Sequence, residues 1–213
     1  MENKIYAKVY SWMFIGLLVS FLTGYGLTYY PNIIYNVMGT NLFYVLIIIE
    51  LAVAIFFGAR ITKMSKNLAI GCYLLYSFLT GFTLSIIFLA YEISSILLIF
   101  GITAGLFGIF AVYGYLTNKD LTKLGTFLVM GLLGIIIATV INIFVNNSTF
   151  DLVISVIGII LFLLFVAYDM KKIKSLINYL GEEKGAIYGA FELYLDFINL
   201  FLRLISIFGK SRD

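Results

Sequence analysis

Histidine is absent from this chain. That removes Ser-His-Asp and Cys-His nucleophile chemistry, the HExxH metalloprotease pattern and most zinc sites. It also removes the usual titrating side chain near neutral pH, so any proton sensing falls to carboxylates. There is one cysteine, Cys72, inside an apolar run, so neither a disulfide framework nor a thiolate metal site can be built. The single proline is Pro31, which with Asn32 marks a turn after the first apolar run. Charge is scarce as well. Charged residues make up 12% of the 213, against 62% hydrophobic, and the mean hydropathy is +1.08. A soluble domain needs more polar surface, so the composition predicts an integral membrane protein. Alternation of the kind found in membrane barrels is missing. The net charge of +3 calls for no nucleic-acid partner, because the Lys and Arg residues stand beside apolar runs. Nothing in the sequence calls for a resident cofactor.

What is present is a series of apolar runs about 20 residues long, enough to cross a bilayer as helices. The pattern predicts a single all-α membrane domain over residues 1–213 with seven spans, at 9–29, 42–58, 68–89, 95–115, 125–145, 152–168 and 186–208. The first follows Lys4 and Lys8, is too long for a signal-peptide core, and reads as a retained span. Gly101 and Gly105, and Gly131 and Gly134, lie inside spans four and five, where small residues suggest close helix packing. Loop charge alternates. Arg60, Lys63 and Lys66, then Lys119 and Lys123, then Lys171, Lys172, Lys174 and Lys184 occupy every second connection; Pro31–Asn41, the stretch near Glu92 and Asn146–Asp151 have no Lys or Arg. The positive-inside rule places the basic connections and the N-terminus in the cytoplasm. Seven crossings put the C-terminus outside, yet Lys210 and Arg212 near the end favour the inside. Either the tail is too short to matter or the last segment is re-entrant.

Four polar residues recur along one face of the last segment: Glu192, Asp196, Asn199 and Arg203. Steps of four, three and four residues keep them within roughly 60° of one another on a helix. Ionisable groups are costly in hydrocarbon, so this stripe predicts a face toward protein or water, and intramembrane acids commonly mark ion or proton routes. Asp169 ends span six, and Arg60 ends span two on the same side. Two carboxylates about 4 Å apart at an effective dielectric near 20 repel by ~4 kcal/mol. If Asp169 and Asp196 meet, they share a proton and titrate as a unit. Arg60 is placed to pair with ionised Asp169 and to let go on protonation, although a plain cytoplasmic anchor explains it equally. Glu50 lies midway along span two, as a neutral acid, a partner of Arg203 or part of a pathway lining. Tyr76, Thr80 and Thr83 form a polar stripe on span three, and Asn142 sits in span five; interhelical hydrogen bonds account for these as well as a pore does. For Ca²⁺, which takes six to eight oxygens, these residues offer weak transient ligation rather than a cage.

The run Gly114-Tyr115-Leu116-Thr117-Asn118-Lys119-Asp120-Leu121-Thr122-Lys123-Leu124-Gly125 resembles the Bax inhibitor-1, or transmembrane Bax inhibitor motif, family. So do Asn142-Ile143-Phe144, Ala167-Tyr168-Asp169 and, most specifically, Leu193-Tyr194-Leu195-Asp196-Phe197-Ile198-Asn199-Leu200-Phe201. The resemblance covers nearly the whole chain and is closest to the bacterial calcium-leak members. It implies seven helices with the last one central and wrapped by the other six. It implies a pH-sensitive calcium leak in the plasma membrane of a bacterium, with Asp169 and Asp196 as the pH sensor and transient Ca²⁺ ligands. Arg60 then matches a basic latch, and Glu50, Glu192, Asn199, Arg203 and Asn142 are expected along the ion pathway. Arg203 departs from the pattern, since bacterial relatives usually carry their basic residue about one turn later; a charge here would reduce cation flux or pair with Asp196.

Two other readings stand beside this one. The Lys171–Lys184 loop is a candidate docking surface, and some bacterial relatives modulate a membrane-anchored quality-control protease. The two aspartates also suggest an intramembrane aspartyl protease, but Tyr194-Leu195-Asp196-Phe197 lacks the Gly-x-Gly-Asp pattern and no proline lies near it. The expected partners are therefore the bilayer, Ca²⁺ and protons, and nothing demands more than a monomer.

Overall fold

The computed structural model describes residues 2–212. Within them are eight α-helices: α1 (Glu2–Leu27), α2 (Pro31–Met38), α3 (Leu42–Arg60), α4 (Lys66–Ala90), α5 (Ile93–Leu116), α6 (Thr122–Val145), α7 (Ser148–Leu180) and α8 (Glu182–Phe208). A 3₁₀ turn, Ile61–Lys63, links α3 to α4. The only extended pairing among the described residues is an isolated bridge between Tyr91 and Ser211. Six helices, α1 and α3 to α7, contain stretches long and apolar enough to cross a membrane. α8 is not among these six. Glu192, Asp196 and Arg203 interrupt its apolar sequence, and its polar residues are gathered on one side.

The predicted spans fall on α1 and α3 to α8, and two connections differ from expectation. Pro31 and Asn32 do not make a simple turn; they begin α2, an additional short helix with Ile34 buried. Proline suits a first helical position, where its fixed φ is already helical and no N–H is required. The second difference is at α7, which continues to Leu180 and absorbs most of the supposed basic loop at 171–184. Met170, Ile173 and Ile177 are buried while Lys171 and Lys174 are exposed, an amphipathic spacing that lets the helix carry on past its apolar run. Gly181, at φ +82°, stops it in a left-handed conformation that other residues adopt at a cost.

The chain forms two compact units. The first comprises the residues up to Glu92, Ile173–Tyr194 and the residues from Ser211. Here α1 and α4 meet through glycine. A Cβ on Gly81 would lie 2.6 Å from the Ser20 carbonyl oxygen, and one on Gly24 would lie 2.9 Å from the Gly81 carbonyl. Gly185 likewise sits on Ile177, where a Cβ would be 2.7 Å from its Cα, closing the hairpin between α7 and α8. Two contacts tie the remaining segments of this unit to α4. Lys66 Nζ lies 2.8 Å from Glu183 Oε2 at the starts of α4 and α8, and Arg212 N donates to the Ala90 carbonyl at 2.8 Å just past the end of α4.

The second unit comprises Ile93–Lys172 and Leu195–Lys210. Of the glycines expected at helix contacts, Gly131 is one: a Cβ there would be 2.7 Å from Leu161 Cδ1. Gly101, Gly105 and Gly134 are not, since a Cβ on any of them would meet no heavy atom within 4 Å. The tight approaches are at Gly114, where a Cβ would fall 2.8 Å from Ala167 Cα, and at Gly125, where it would fall 2.5 Å from the Tyr168 ring. The end of α8 lies beside the starts of α5 and α7. Lys210 N donates to Ser95 Oγ at 2.9 Å, and the hydroxyls of Ser155 and Ser206 are 3.3 Å apart.

Candidate functional site

Asp169 and Asp196 both lie in the second unit and both are buried, at 7% and 4% exposure. The two glycine contacts account for how Asp169 is held. Gly114 of α5 lets the α7 backbone come close at Ala167, and Gly125 of α6 receives the Tyr168 ring. The next residue is Asp169, so its position follows from two neighbouring helices that have no side chain at the points of contact. One turn further, Lys172 Nζ is 3.9 Å from Asp169 Oδ1 and 5.8 Å from the centre of the Tyr168 ring. Lys171 donates to the Thr117 carbonyl, which ties this part of α7 to the connection between α5 and α6. Asp196 is fixed from its other neighbour. Phe197 packs against Phe100 at 5.1 Å and Phe107 at 5.6 Å between ring centres, edge-inclined arrangements favourable for aromatic pairs.

The rest of the α8 stripe divides. Asn199 and Arg203 share the second unit with Asp196, whereas Glu192 belongs to the first. Asn199 Nδ2 donates to the Leu195 carbonyl one turn back, at 2.8 Å. Arg203, half-buried, donates from an amino group to Thr139 Oγ1 at 3.3 Å and lies over Gly158, where a Cβ would be 3.2 Å from its Nε. The hydrogen bond seen for Arg203 is thus with a hydroxyl of α6. Asn142, expected on a pathway, shapes the end of α6. Its Oδ1 accepts from Asn147 N at 3.1 Å, and its carbonyl accepts from Asn146 N at 2.7 Å, with Asn146 left-handed at φ 51°.

In the first unit, Glu50 accepts hydrogen bonds from Thr80 Oγ1 at 2.6 Å and Thr83 Oγ1 at 3.3 Å, both on α4. For the Thr80 and Thr83 stripe, these are hydrogen bonds between helices, one of the two roles the sequence left open for it. Tyr76 lies one turn before Thr80, its ring 6.1 Å from that of Tyr194. Tyr194 OH is 2.6 Å from Ser20 Oγ, which also donates to the Ser77 carbonyl at 2.7 Å. Sequence reasoning passed over Ser20, whose only signal is a hydroxyl inside an otherwise apolar run. Arg60 ends α3 and is exposed. Other basic residues of this unit make ion pairs and hydrogen bonds. Lys8 pairs with Glu182 at 3.3 Å and with Glu183, and Lys184 Nζ donates to the Thr62 carbonyl at 3.2 Å. Lys66 and Lys8 hold the Glu183 carboxyl below its ordinary value. No group of three or more His, Cys, Asp or Glu residues able to hold a metal ion occurs among the described residues.

The family model for the inhibitor of apoptosis-promoting Bax1 matches residues 2–213. The chain belongs to the Bax inhibitor-1 family. Relatives of similar length bear this out. The chain is 40% identical to the inner membrane protein YbhL of Escherichia coli K12, over 97% of this chain and 91% of YbhL. It is also 40% identical to a protein of Borreliella burgdorferi, over 100% of this chain and 94% of that one. An uncharacterized membrane protein of Streptococcus pyogenes serotype M1 is 33% identical over 98% of this chain and 93% of its own. A multi-pass membrane protein of the Bax inhibitor-1 family is consistent with the apolar helices and with the membrane assignment of these relatives.

Proposed function

We propose that this Bax inhibitor-1 family protein is a proton-sensitive calcium leak of a bacterial plasma membrane, with Asp169 and Asp196 as its proton-binding pair. The observation that carries this reading is the burial of both aspartates in one compact unit, on two helices that the sequence already marked. Buried intramembrane acids are expensive to keep and are characteristically functional. Lys172 lies beside Asp169 and offsets its charge when ionised. Protonation removes that attraction, and the end of α7 is then free to shift; Arg60 is a second candidate latch from the cytoplasmic side. Ca²⁺ is held only in passing, by carboxylate and carbonyl oxygens. The N-terminus is cytoplasmic, and α8 crosses the membrane as a seventh span.

The test is Ca²⁺ entry into dye-loaded proteoliposomes at about pH 6, 7 and 8, with wild type beside Asp169→Asn and Asp196→Asn. The expected result is a leak that increases on acidification, with a response lost or shifted in both variants. A leak independent of pH would sink the gate. No flux above that of empty liposomes would sink the channel.

A further inference from the structure

At the junction of α6 and α7 the second unit carries an open groove of about 560 Å³ lined by Thr139, Asn142, Asn146, Asn147, Ser148 and Asp151. Its chemistry is one-sided. Asn142 Oδ1 accepts from Asn147 N, and Asn147 Oδ1 accepts from Phe150 N at 2.9 Å. An amide whose oxygen is taken by a backbone N–H turns its NH₂ the other way, so these two side chains offer donors to the groove. Ser148 and Thr139 add hydroxyls. Behind Thr139 stands Arg203, which uses one N–H on the Thr139 hydroxyl and has further donors on the same planar fork. Such a wall suits a group rich in acceptors, and a hard cation seeking six or more oxygens finds few free here. Asp151, exposed in the first turn of α7, is the one negative charge lining the groove. Next to it, sharing Asn147, is a second groove of about 460 Å³ lined by Val145, Thr149, Phe150 and Val153. Both lie at the ends of membrane-length helices, with Phe144 and Ile143 exposed alongside at 84% and 70%.

We infer that this groove binds the headgroup of a zwitterionic phospholipid carrying a primary ammonium. The phosphate is taken by Arg203, Thr139 and the asparagine amides, the ammonium by Asp151, and the start of an acyl chain by the apolar groove. A primary ammonium can donate hydrogen bonds to Asp151, whereas a trimethylated one cannot, so phosphatidylethanolamine is favoured over phosphatidylcholine. Phosphatidylglycerol offers the same phosphate to Arg203 but no ammonium to Asp151, so it is disfavoured.

The experiment is native mass spectrometry of the detergent-purified full chain with each of the three lipids, with thermal shift as a parallel readout. The expected result is retention of phosphatidylethanolamine several-fold above the other two. Asp151→Asn, at an exposed position that leaves folding intact, should erase the preference for phosphatidylethanolamine over phosphatidylglycerol. Arg203→Gln should lower retention of all three, and Arg203→Lys should partly restore it. Equal retention of the three lipids by wild type, or a preference unchanged in Asp151→Asn, would overturn the proposal. Water-soluble glycerophosphoethanolamine stabilising as well as the lipid would overturn the lipid assignment.

Discussion

At the scale of single residues, Glu50 shows how a membrane helix carries an acid. Its two oxygens are met by Thr80 and Thr83, and Thr80 is 2% exposed, so water has no easy way to replace a lost hydroxyl. Leaving a buried acceptor unmet costs ~1–3 kcal/mol, more than the net worth of an ordinary hydrogen bond. Thr80→Val, which keeps the shape and removes the donor, is therefore expected to destabilise by about 1–3 kcal/mol. Thr83→Val, with the longer bond, should cost less. Glu50→Gln, which keeps an acceptor for Thr80, should be the mildest of the three. Thermal unfolding of the detergent-solubilised variants checks the order; equal effects from all three would mean the hydroxyls are not supporting Glu50. The stripe of Tyr76, Thr80 and Thr83 was readable from spacing alone, but its partner was not. Period and polarity name the face of a helix, while the identity of what it faces is a tertiary fact.

Among elements, the helices themselves followed from the length of apolar runs, because backbone groups in lipid must be satisfied within the segment. What composition does not encode is where a helix ends once it leaves the apolar run. The extension of α7 past residue 168 depends on Ile173 and Ile177 finding cover, and its end depends on Gly181. Glycine packing was legible only in part for a related reason. Gly101, Gly105 and Gly134 look like contact residues, yet they face open space, whereas Gly114 and Gly125 bracket one of the family-like stretches and receive Ala167 and Tyr168. Their place at the two ends of that stretch was the available signal. The contrast yields a prediction. Gly114→Ala forces backbone against backbone, and overpacking of this sort costs ~1–3 kcal/mol or more. Gly105→Ala meets nothing and gains helix propensity, so it should be neutral or stabilising by up to about 1 kcal/mol. Unfolding midpoints of the two variants test this. Because Ala167 adjoins Tyr168 and Asp169, Gly114→Ala should also alter the pH response of Ca²⁺ flux, an effect Gly105→Ala should lack.

For the molecule as a whole, one cluster bears on topology. Lys8, Lys66, Glu182 and Glu183 gather the early part of α1, the start of α4 and the start of α8 at one end of the first unit. Since the Glu183 carboxyl is held below its ordinary value of 4.5, its contribution is present above that pH and is lost as pH falls through the lowered value. The side chain is 42% exposed, so screening keeps the contribution to at most about 1 kcal/mol. A stability gap between wild type and Glu183→Gln should therefore be constant above about pH 5, shrink on acidification and narrow with added salt. On the topology proposed above, Arg60, Lys63 and Lys66 keep the start of α4 in the cytoplasm, and α8 begins beside it. Within the same unit Arg212 N donates to the Ala90 carbonyl, just past the end of α4. At 1.5 Å per residue the 27 residues of α8 cover about 40 Å, more than a hydrocarbon core of about 30 Å. If α8 crosses as proposed, Lys210 and Arg212 are carried to the far side despite their charge. An alkaline phosphatase fused after residue 213 is expected to be active in cells and a green fluorescent protein dark, while insertions beside Gly181 behave oppositely. A fluorescent C-terminal fusion would show that the last helix turns back, and would sink the seventh crossing.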